Sequence, residues 1–114
     1  MPEDAMATRY TGVVLEELTG SEYEVANAII TDLRVSVDWH QEGGLGGLTV
    51  SATKKGLLYE GKFSYRDNRY SPGTTTLRLY KAKDGAVILI GNWDQPSHST
   101  HGRWMFHLFP ATEE

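Results

Sequence analysis

The chain has 114 residues, of which 39% are hydrophobic and 23% charged, and a formal net charge of −4. This length predicts one domain, the balanced composition excludes wholesale disorder, and the lack of cysteine excludes disulfides and thiolate metal sites. The sequence has no run of about 18 apolar residues, and its acidic first residues lack the apolar segment of a secretory signal. We therefore expect a cytoplasmic protein with no membrane partner, and the negative charge argues against a nucleic-acid polymer as partner.

Short runs in which apolar and polar residues alternate recur along the chain and predict antiparallel strands. The candidate strands, in chain order, are Thr8–Glu17, a segment within 21–30, Thr31–His40, the segments on either side of Lys55-Gly56, Leu77–Ala82, Val87–Trp93 and Arg103–Phe109. Residues 1–6 and 111–114 are expected to be disordered tails, so the predicted domain covers residues 7–110.

One segment, residues 21–29, fits two structures. Ser21 and Glu24 have the spacing of a capping box, which would start a short helix there. Tyr23 and Val25 are instead good strand formers. We predict a strand with a bend and keep a single helical turn as the alternative.

Asp84-Gly85 predicts a two-residue β-hairpin loop, because both central residues of a type I′ turn need positive φ. Such a loop places Arg78 opposite Gly91 and puts Arg78, Tyr80 and Trp93 on the same face of the hairpin. Glycine leaves room for a long side chain, so the guanidinium can lie over the sheet among aromatic rings.

The predicted fold is all-β: a single closed antiparallel meander barrel of about seven or eight strands. Sequential strands favour a meander, and closure into a barrel removes exposed strand edges. A β-sandwich is the alternative. The interior of an eight-stranded barrel is just wide enough for side chains or one small ligand.

Between Thr53 and Lys83 the chain carries eight basic residues against two acidic ones, and this local charge favours an anionic ligand. We predict that Arg78 binds the carboxylate or phosphate of an anionic or nucleotide-like small molecule while aromatic rings stack on it. The predicted ligand-binding residues are Tyr59, Tyr65, Arg78, Tyr80, Trp93 and Trp104. On this prediction, Arg78→Ala weakens binding by about 1.5–3 kcal/mol.

The loop 94–101 carries residue types that are used in metal sites and in catalysis. Asp94, His98 and His101 are metal-ligand types, and Ser97 with His98 and Asp94 could form a nucleophile, a base and an orienting acid. Spacing within one flexible loop gives neither geometry. We therefore predict a polar surface loop, with no metal, no cofactor and no catalytic residue.

Two short motifs, Gly91-Asn92-Trp93 and Gly102-Arg103-Trp104, resemble the Gly-x-Trp motif of the calycin group, which comprises lipocalins, fatty-acid-binding proteins and avidin-like barrels. Arg78-Leu79-Tyr80 is similar to the Arg-x-Tyr that holds the ligand carboxylate in fatty-acid-binding proteins. This resemblance implies a closed β-barrel that binds a small molecule.

Residues 57–108 also resemble the β-rich sensor domain of two-transmembrane effectors in bacterial cyclic-oligonucleotide defence systems. The residues that carry this resemblance are Tyr59, Phe63-Ser64-Tyr65-Arg66-Asp67-Asn68, Gly73, Leu77, Leu79, Gly91, Trp93 and Gly102. It implies binding of a cyclic dinucleotide, but the membrane helices of that family do not occur in this sequence, so membrane disruption is not implied.

The sequence therefore favours binding of a small molecule over catalysis. One alternative is a homodimeric or partner-binding module, in which an apolar face with Leu79, Ile88 and Ile90 forms the interface. Another is a small barrel isomerase or hydrolase that uses His107 or the loop 94–101, although a strand histidine of this kind is more often structural.

Overall fold

The computed structural model describes residues 8–41, 46–65, 72–96 and 100–111, and these residues form eight strands. The strands are β1 (Thr8–Glu16), β2 (Ser21–Ile30), β3 (Arg34–Gln41), β4 (Gly46–Lys55), β5 (Leu58–Tyr65), β6 (Gly73–Lys81), β7 (Val87–Gln95) and β8 (Thr100–Pro110). In this part of the chain, no helix is long and apolar enough to cross a membrane. The predicted tail 1–6 and most of the predicted tail 111–114 lie outside the described residues.

Each strand pairs antiparallel with the next, and β1 also pairs with β8, so the sheet closes into a barrel. The last strand meets the first along seven residue pairs, from Tyr10 opposite Pro110 to Glu16 opposite Trp104. This confirms the predicted closed meander barrel, and the sandwich alternative is wrong. Closure leaves neither β1 nor β8 with an unpaired edge.

Residues 21–30 form a strand, so the helical alternative for this segment is wrong. The strand pairs with β1 along one edge and with β3 along the other. Its pairing with β3 shifts register between Val25 and Asn27, which is the predicted bend in the form of a bulge. Two sets of strand hydrogen bonds outweigh the local capping pattern at Ser21.

The β6–β7 hairpin has a three-residue loop, so the predicted two-residue loop and its register are wrong. The backbone N–H of Ala82 donates to the carbonyl of Ala86 at 2.9 Å, which leaves residues 83–85 as the loop. Gly85 takes a φ of 92° there, as the left-handed residue of a three-residue hairpin loop does. The side chain of Asp84 accepts a hydrogen bond from the N–H of Ala86 at 3.0 Å and fixes the turn.

One added loop residue moves every side chain of β6 to the other face relative to β7. Arg78 lies opposite Ile90 instead of Gly91, and Leu77 takes the place opposite Gly91. Leu77 is fully buried inside the barrel, whereas Arg78 and Tyr80 are exposed on its outer surface.

The segments on either side of Lys55-Gly56 form the β4–β5 hairpin, in which Val50 lies opposite Phe63 and Ala52 opposite Gly61. Inward-facing side chains from the described strands form one continuous core. Its buried members are Tyr10, Val14, Val25, Ala28, Ile30, Val35, Val37, Trp39, Tyr59, Phe63, Leu77, Val87, Leu89, Trp104, Phe106 and Leu108.

Candidate functional site

A cavity of about 140 Å³ lies inside one end of the barrel, where β1, β3, β5 and β7 end and β2 and β8 begin. The residues that line it are Val14, Glu16, Leu18, Thr19, Tyr23, Trp39, Phe63, Tyr65, Trp93 and Trp104. Six of these ten are aromatic. An apolar protein cavity of about 150 Å³ is large enough to hold benzene, so this space has room for about one ring.

The two Gly-x-Trp motifs face each other across β7 and β8. Trp93 lies opposite Gly102, and Gly91 lies opposite Trp104. A Cβ atom on Gly102 would lie 2.8–2.9 Å from atoms of the Trp93 indole, so only glycine leaves space for that ring. The motifs therefore place two indoles side by side, with ring centroids 6.0 Å apart.

Further aromatic rings extend this pair across the barrel interior. Phe63 packs edge-on against Trp104 at 5.2 Å and against Trp93 at 6.2 Å, and Tyr65 lies 6.1 Å from Phe63. Trp39, from the opposite wall, packs edge-on against Trp104 with centroids 5.4 Å apart. Most of these contacts have the edge-to-face geometry that aromatic pairs prefer, so the rings pack against one another as one cluster beside the cavity.

Glu16 is the acidic residue of the lining, and its carboxylate accepts four hydrogen bonds. One oxygen accepts from the N–H and the hydroxyl of Thr19 at 3.0 and 2.9 Å. The other accepts from the N–H of Leu18 at 2.9 Å and from Nε1 of Trp93 at 3.1 Å. Glu16 thus ties the β1–β2 turn to an indole in the cavity wall.

Trp104 and Trp39 differ in how their indole N–H groups are paired. Nε1 of Trp104 donates to Oγ1 of Thr75 at 3.2 Å, and that hydroxyl donates in turn to the carbonyl of Asn92 at 2.8 Å. Nε1 of Trp39 is buried and has no hydrogen-bond partner among the described residues, and the residue is 3% exposed. A buried donor left unpaired costs about 1–3 kcal/mol.

The structure brings three of the six predicted ligand-binding residues together: Tyr65, Trp93 and Trp104 line the cavity. Tyr59 also points inward and is buried, but it does not line this cavity. Its burial, and after that the negative charge of Asp32, raise the pKa of the Tyr59 hydroxyl.

Arg78 and Tyr80 lie on the outer surface of the barrel, away from the other four predicted residues. The guanidinium carbon of Arg78 sits 5.8 Å from the centre of the Tyr80 ring, so the two side chains pack on each other outside. The prediction that Arg78, Tyr80 and Trp93 share a face is therefore wrong, because the extra loop residue reversed the faces of β6.

The sequence analysis did not select seven of the ten lining residues, of which Glu16, Tyr23, Trp39 and Phe63 are charged or aromatic. Trp39 stands in an alternating apolar row with Val35 and Val37, which indicated an inward position but not a place beside the cavity. Nothing local in the sequence marks Glu16, because its role depends on Trp93, 77 residues further along the chain.

The predicted polar loop is described only in part. Asp94 and His101 lie opposite each other on β7 and β8, and both are exposed. Ser97 and His98 lie outside the described residues, so the metal and catalytic alternatives for this loop stay predictions. His107 is the residue that the enzyme alternative would use. Its ring packs against that of Phe109 with centroids 4.5 Å apart, and it does not line the cavity.

No family model matches the chain, and neither does any curated protein or solved structure.

Proposed function

We propose that this protein is a small-molecule-binding barrel of the calycin type that holds a planar, mostly apolar ligand in its aromatic cavity. The observation that carries the proposal is the cavity of about 140 Å³ walled by six aromatic side chains at one end of a closed barrel. Barrel mouths with apolar walls and a few polar groups are favoured ligand sites.

The size and the walls set an expected affinity. A one-ring molecule that buries about 200 Å² of apolar surface gains about 5 kcal/mol from the hydrophobic effect, before the cost of immobilising it. That gain alone corresponds to a Kd of about 0.2 mM, so after the cost of immobilisation a fragment that fills only the cavity should bind with a Kd of about 1–10 mM. A natural ligand that also reaches the rim of the barrel would bind more tightly.

The lining favours an uncharged ligand over the anionic or nucleotide-like one that the sequence predicts. Its charged member is the carboxylate of Glu16, and the lining includes no lysine or arginine among the described residues. Arg78, the predicted anion-binding residue, lies on the outer surface of the barrel. Bringing an anion next to a carboxylate in an apolar cavity costs both desolvation and repulsion.

A matched pair of substitutions on β1 tests the proposal. Val14 is 1% exposed and lines the cavity, whereas its neighbour Val13 does not line it. We expect wild type to bind toluene with a Kd in the range given above, measured by tryptophan fluorescence and by NMR chemical shifts. Val14→Phe should fill the cavity and abolish binding, and Val13→Phe should leave binding within about twofold. Absence of toluene binding by wild type, or equal binding by both variants, would contradict the proposal.

A second candidate function is self-association or partner binding through the outer surface. Leu15, Met105 and Ile90 lie opposite one another on β1, β8 and β7, and Leu15 and Ile90 are 36% and 37% exposed. Ile88 faces the same way, whereas Leu79 packs against the core and leaves the predicted interface. Sedimentation velocity should show a dimer that Ile90→Lys dissociates, and a monomer at high concentration would refute this candidate.

A further inference from the structure

Glu16 places a negative charge in the wall of the aromatic cavity, and its hydrogen-bond donors are all neutral. Its carboxylate accepts from the N–H groups of Leu18 and Thr19, from the Thr19 hydroxyl and from the Trp93 indole, at 2.9–3.1 Å. These three residues line the cavity together with Glu16. In the described part of the chain, no lysine or arginine forms an ion pair with this carboxylate or lines the cavity. The charge of Glu16 therefore acts on an occupant of the cavity without a protein cation to neutralise it.

The charges around this end of the barrel have the same sign. We define the rim as the β1–β2 turn and the three residues of each strand nearest to this end. The described rim contains no lysine or arginine, and its carboxylates are those of Glu16, Glu17, Glu22 and Asp94. Arg103, one residue further along β8, pairs with Glu17, and Lys54, Lys81 and Lys83 lie at the opposite end of the barrel. The described rim therefore attracts cations.

The hydrogen bonds of Glu16 select among cations. A carboxylate has about four acceptor sites, and each oxygen of Glu16 already accepts two hydrogen bonds. A cation with N–H groups would find no free acceptor on this carboxylate, and burying an N–H donor without a partner costs free energy. A cation whose nitrogen bears no hydrogen avoids this cost, and aromatic rings attract it through cation–π interactions.

We infer that the ligand is a flat organic cation whose nitrogen bears no hydrogen, of the class of N-alkylated aromatic nitrogen heterocycles such as N-alkylpyridinium ions. Aromatic side chains pack on its ring, and Glu16 supplies the opposite charge. This attraction acts through space and needs no hydrogen bond between Glu16 and the ligand. The inference rests on the proposed function and specifies its ligand, because a carboxylate that disfavours an anion relative to an uncharged molecule favours a cation relative to both.

Three one-ring probes separate the effect of charge from that of N–H groups. N-methylpyridinium and toluene have the same shape, an aromatic ring with one methyl group, and differ in charge. Benzylammonium is a cation of similar size that carries N–H groups. Each probe is titrated into wild type at neutral pH and constant ionic strength. The Kd is measured from ¹H–¹⁵N chemical shifts, because pyridinium ions quench tryptophan fluorescence by collision alone.

We expect N-methylpyridinium to bind wild type about 3- to 30-fold more tightly than toluene, the range of cation–π attraction at a desolvated site. Benzylammonium should bind at least about 5-fold more weakly than N-methylpyridinium, because its N–H groups lose water without gaining acceptors. If toluene binds and N-methylpyridinium binds no more tightly, the inference is overturned and the proposed function stands. Benzylammonium binding as tightly as N-methylpyridinium would overturn the inference as well. If neither toluene nor N-methylpyridinium binds, the proposed function fails together with the inference.

Glu16→Gln tests whether this carboxylate is the source of the preference. The ratio of the Kd of N-methylpyridinium to that of toluene cancels changes in cavity size that the substitution brings. We expect this ratio to rise by about 5- to 20-fold, the effect of one charge a few ångströms away at a partly exposed site. In Glu17→Gln it should stay within about twofold of wild type, since Glu17 pairs with Arg103 and does not line the cavity. An equal ratio in wild type and Glu16→Gln would overturn the inference.

Val14→Phe locates the bound cation, because Val14 lines the cavity. It should abolish binding of N-methylpyridinium, and binding that survives it would place the cation elsewhere and overturn the inference. The comparison of the three probes in wild type does not depend on the folding of either variant.

Discussion

Replacing Glu16 by glutamine removes acceptors from a carboxylate that holds both a turn and a cavity wall. Each carboxylate oxygen of Glu16 accepts two hydrogen bonds, from Thr19 at one oxygen and from Leu18 and Trp93 at the other. Glutamine keeps one oxygen, so its NH₂ group must face two donors. Two hydrogen bonds lost at a partly buried site, reduced by solvent access to the turn, give an expected loss of about 1.5–3 kcal/mol in the free energy of unfolding.

Glu17→Gln is the matched control for this experiment. Glu17 is the next residue, and its ion pair with Arg103 spans 3.5 Å between side chains that are 65% and 64% exposed. Such an exposed pair contributes little, so the control should change the free energy of unfolding by less than about 0.5 kcal/mol. Urea denaturation at one pH and salt concentration, followed by circular dichroism and tryptophan fluorescence, compares the two variants with wild type. A Glu16→Gln variant no less stable than Glu17→Gln would refute the role assigned to Glu16.

Gly102→Ala should lower the free energy of unfolding by about 1–3 kcal/mol, because the new Cβ would meet the Trp93 indole at 2.8–2.9 Å. This loss should be smaller in a Trp93→Phe background, and equal losses in both backgrounds would show that the glycine does not make room for the indole. Arg78→Ala should change the Kd for toluene less than twofold. A loss of affinity of tenfold or more would show that Arg78 belongs to the binding site. For Tyr59, burial and Asp32 raise the pKa above its ordinary 10.0, so the folded protein keeps a proton that the unfolded chain releases as pH rises through about 10. Wild type should therefore lose more unfolding free energy between about pH 9 and pH 11 than Tyr59→Phe, and parallel losses would argue against this burial effect.

The fold was predictable because its signals are local. Alternation along Val35, Val37 and Trp39 predicts an inward row, and all three side chains are buried. The same row in the sequence begins at Leu33, which is 70% exposed because it lies before the first residue of β3. Alternation thus predicts which residues share a face. It does not predict where a strand ends, because that depends on where hydrogen bonding to the neighbouring strand stops.

The candidate site was predictable from the sequence at Tyr65, Trp93 and Trp104, which line the cavity. The two Gly-x-Trp motifs pointed to Trp93 and Trp104, and both line the cavity. Arg78 and Tyr80 were placed with them by assuming a two-residue loop, and the register of a hairpin depends on whether its turn closes over two residues or three. Asp-Gly fits both loops, since each uses a residue with positive φ.

The sequence by itself determined an all-β chain of successive hairpins, because the period of two and the turn residues act between neighbours in the chain. Only the tertiary structure decided what the closed barrel encloses. The meeting of β1 with β8 and the contact between Glu16 and Trp93 join residues far apart in sequence. Such pairings are set by the side chains that share one interior, and no local pattern encodes which of them will be left with an unpaired donor.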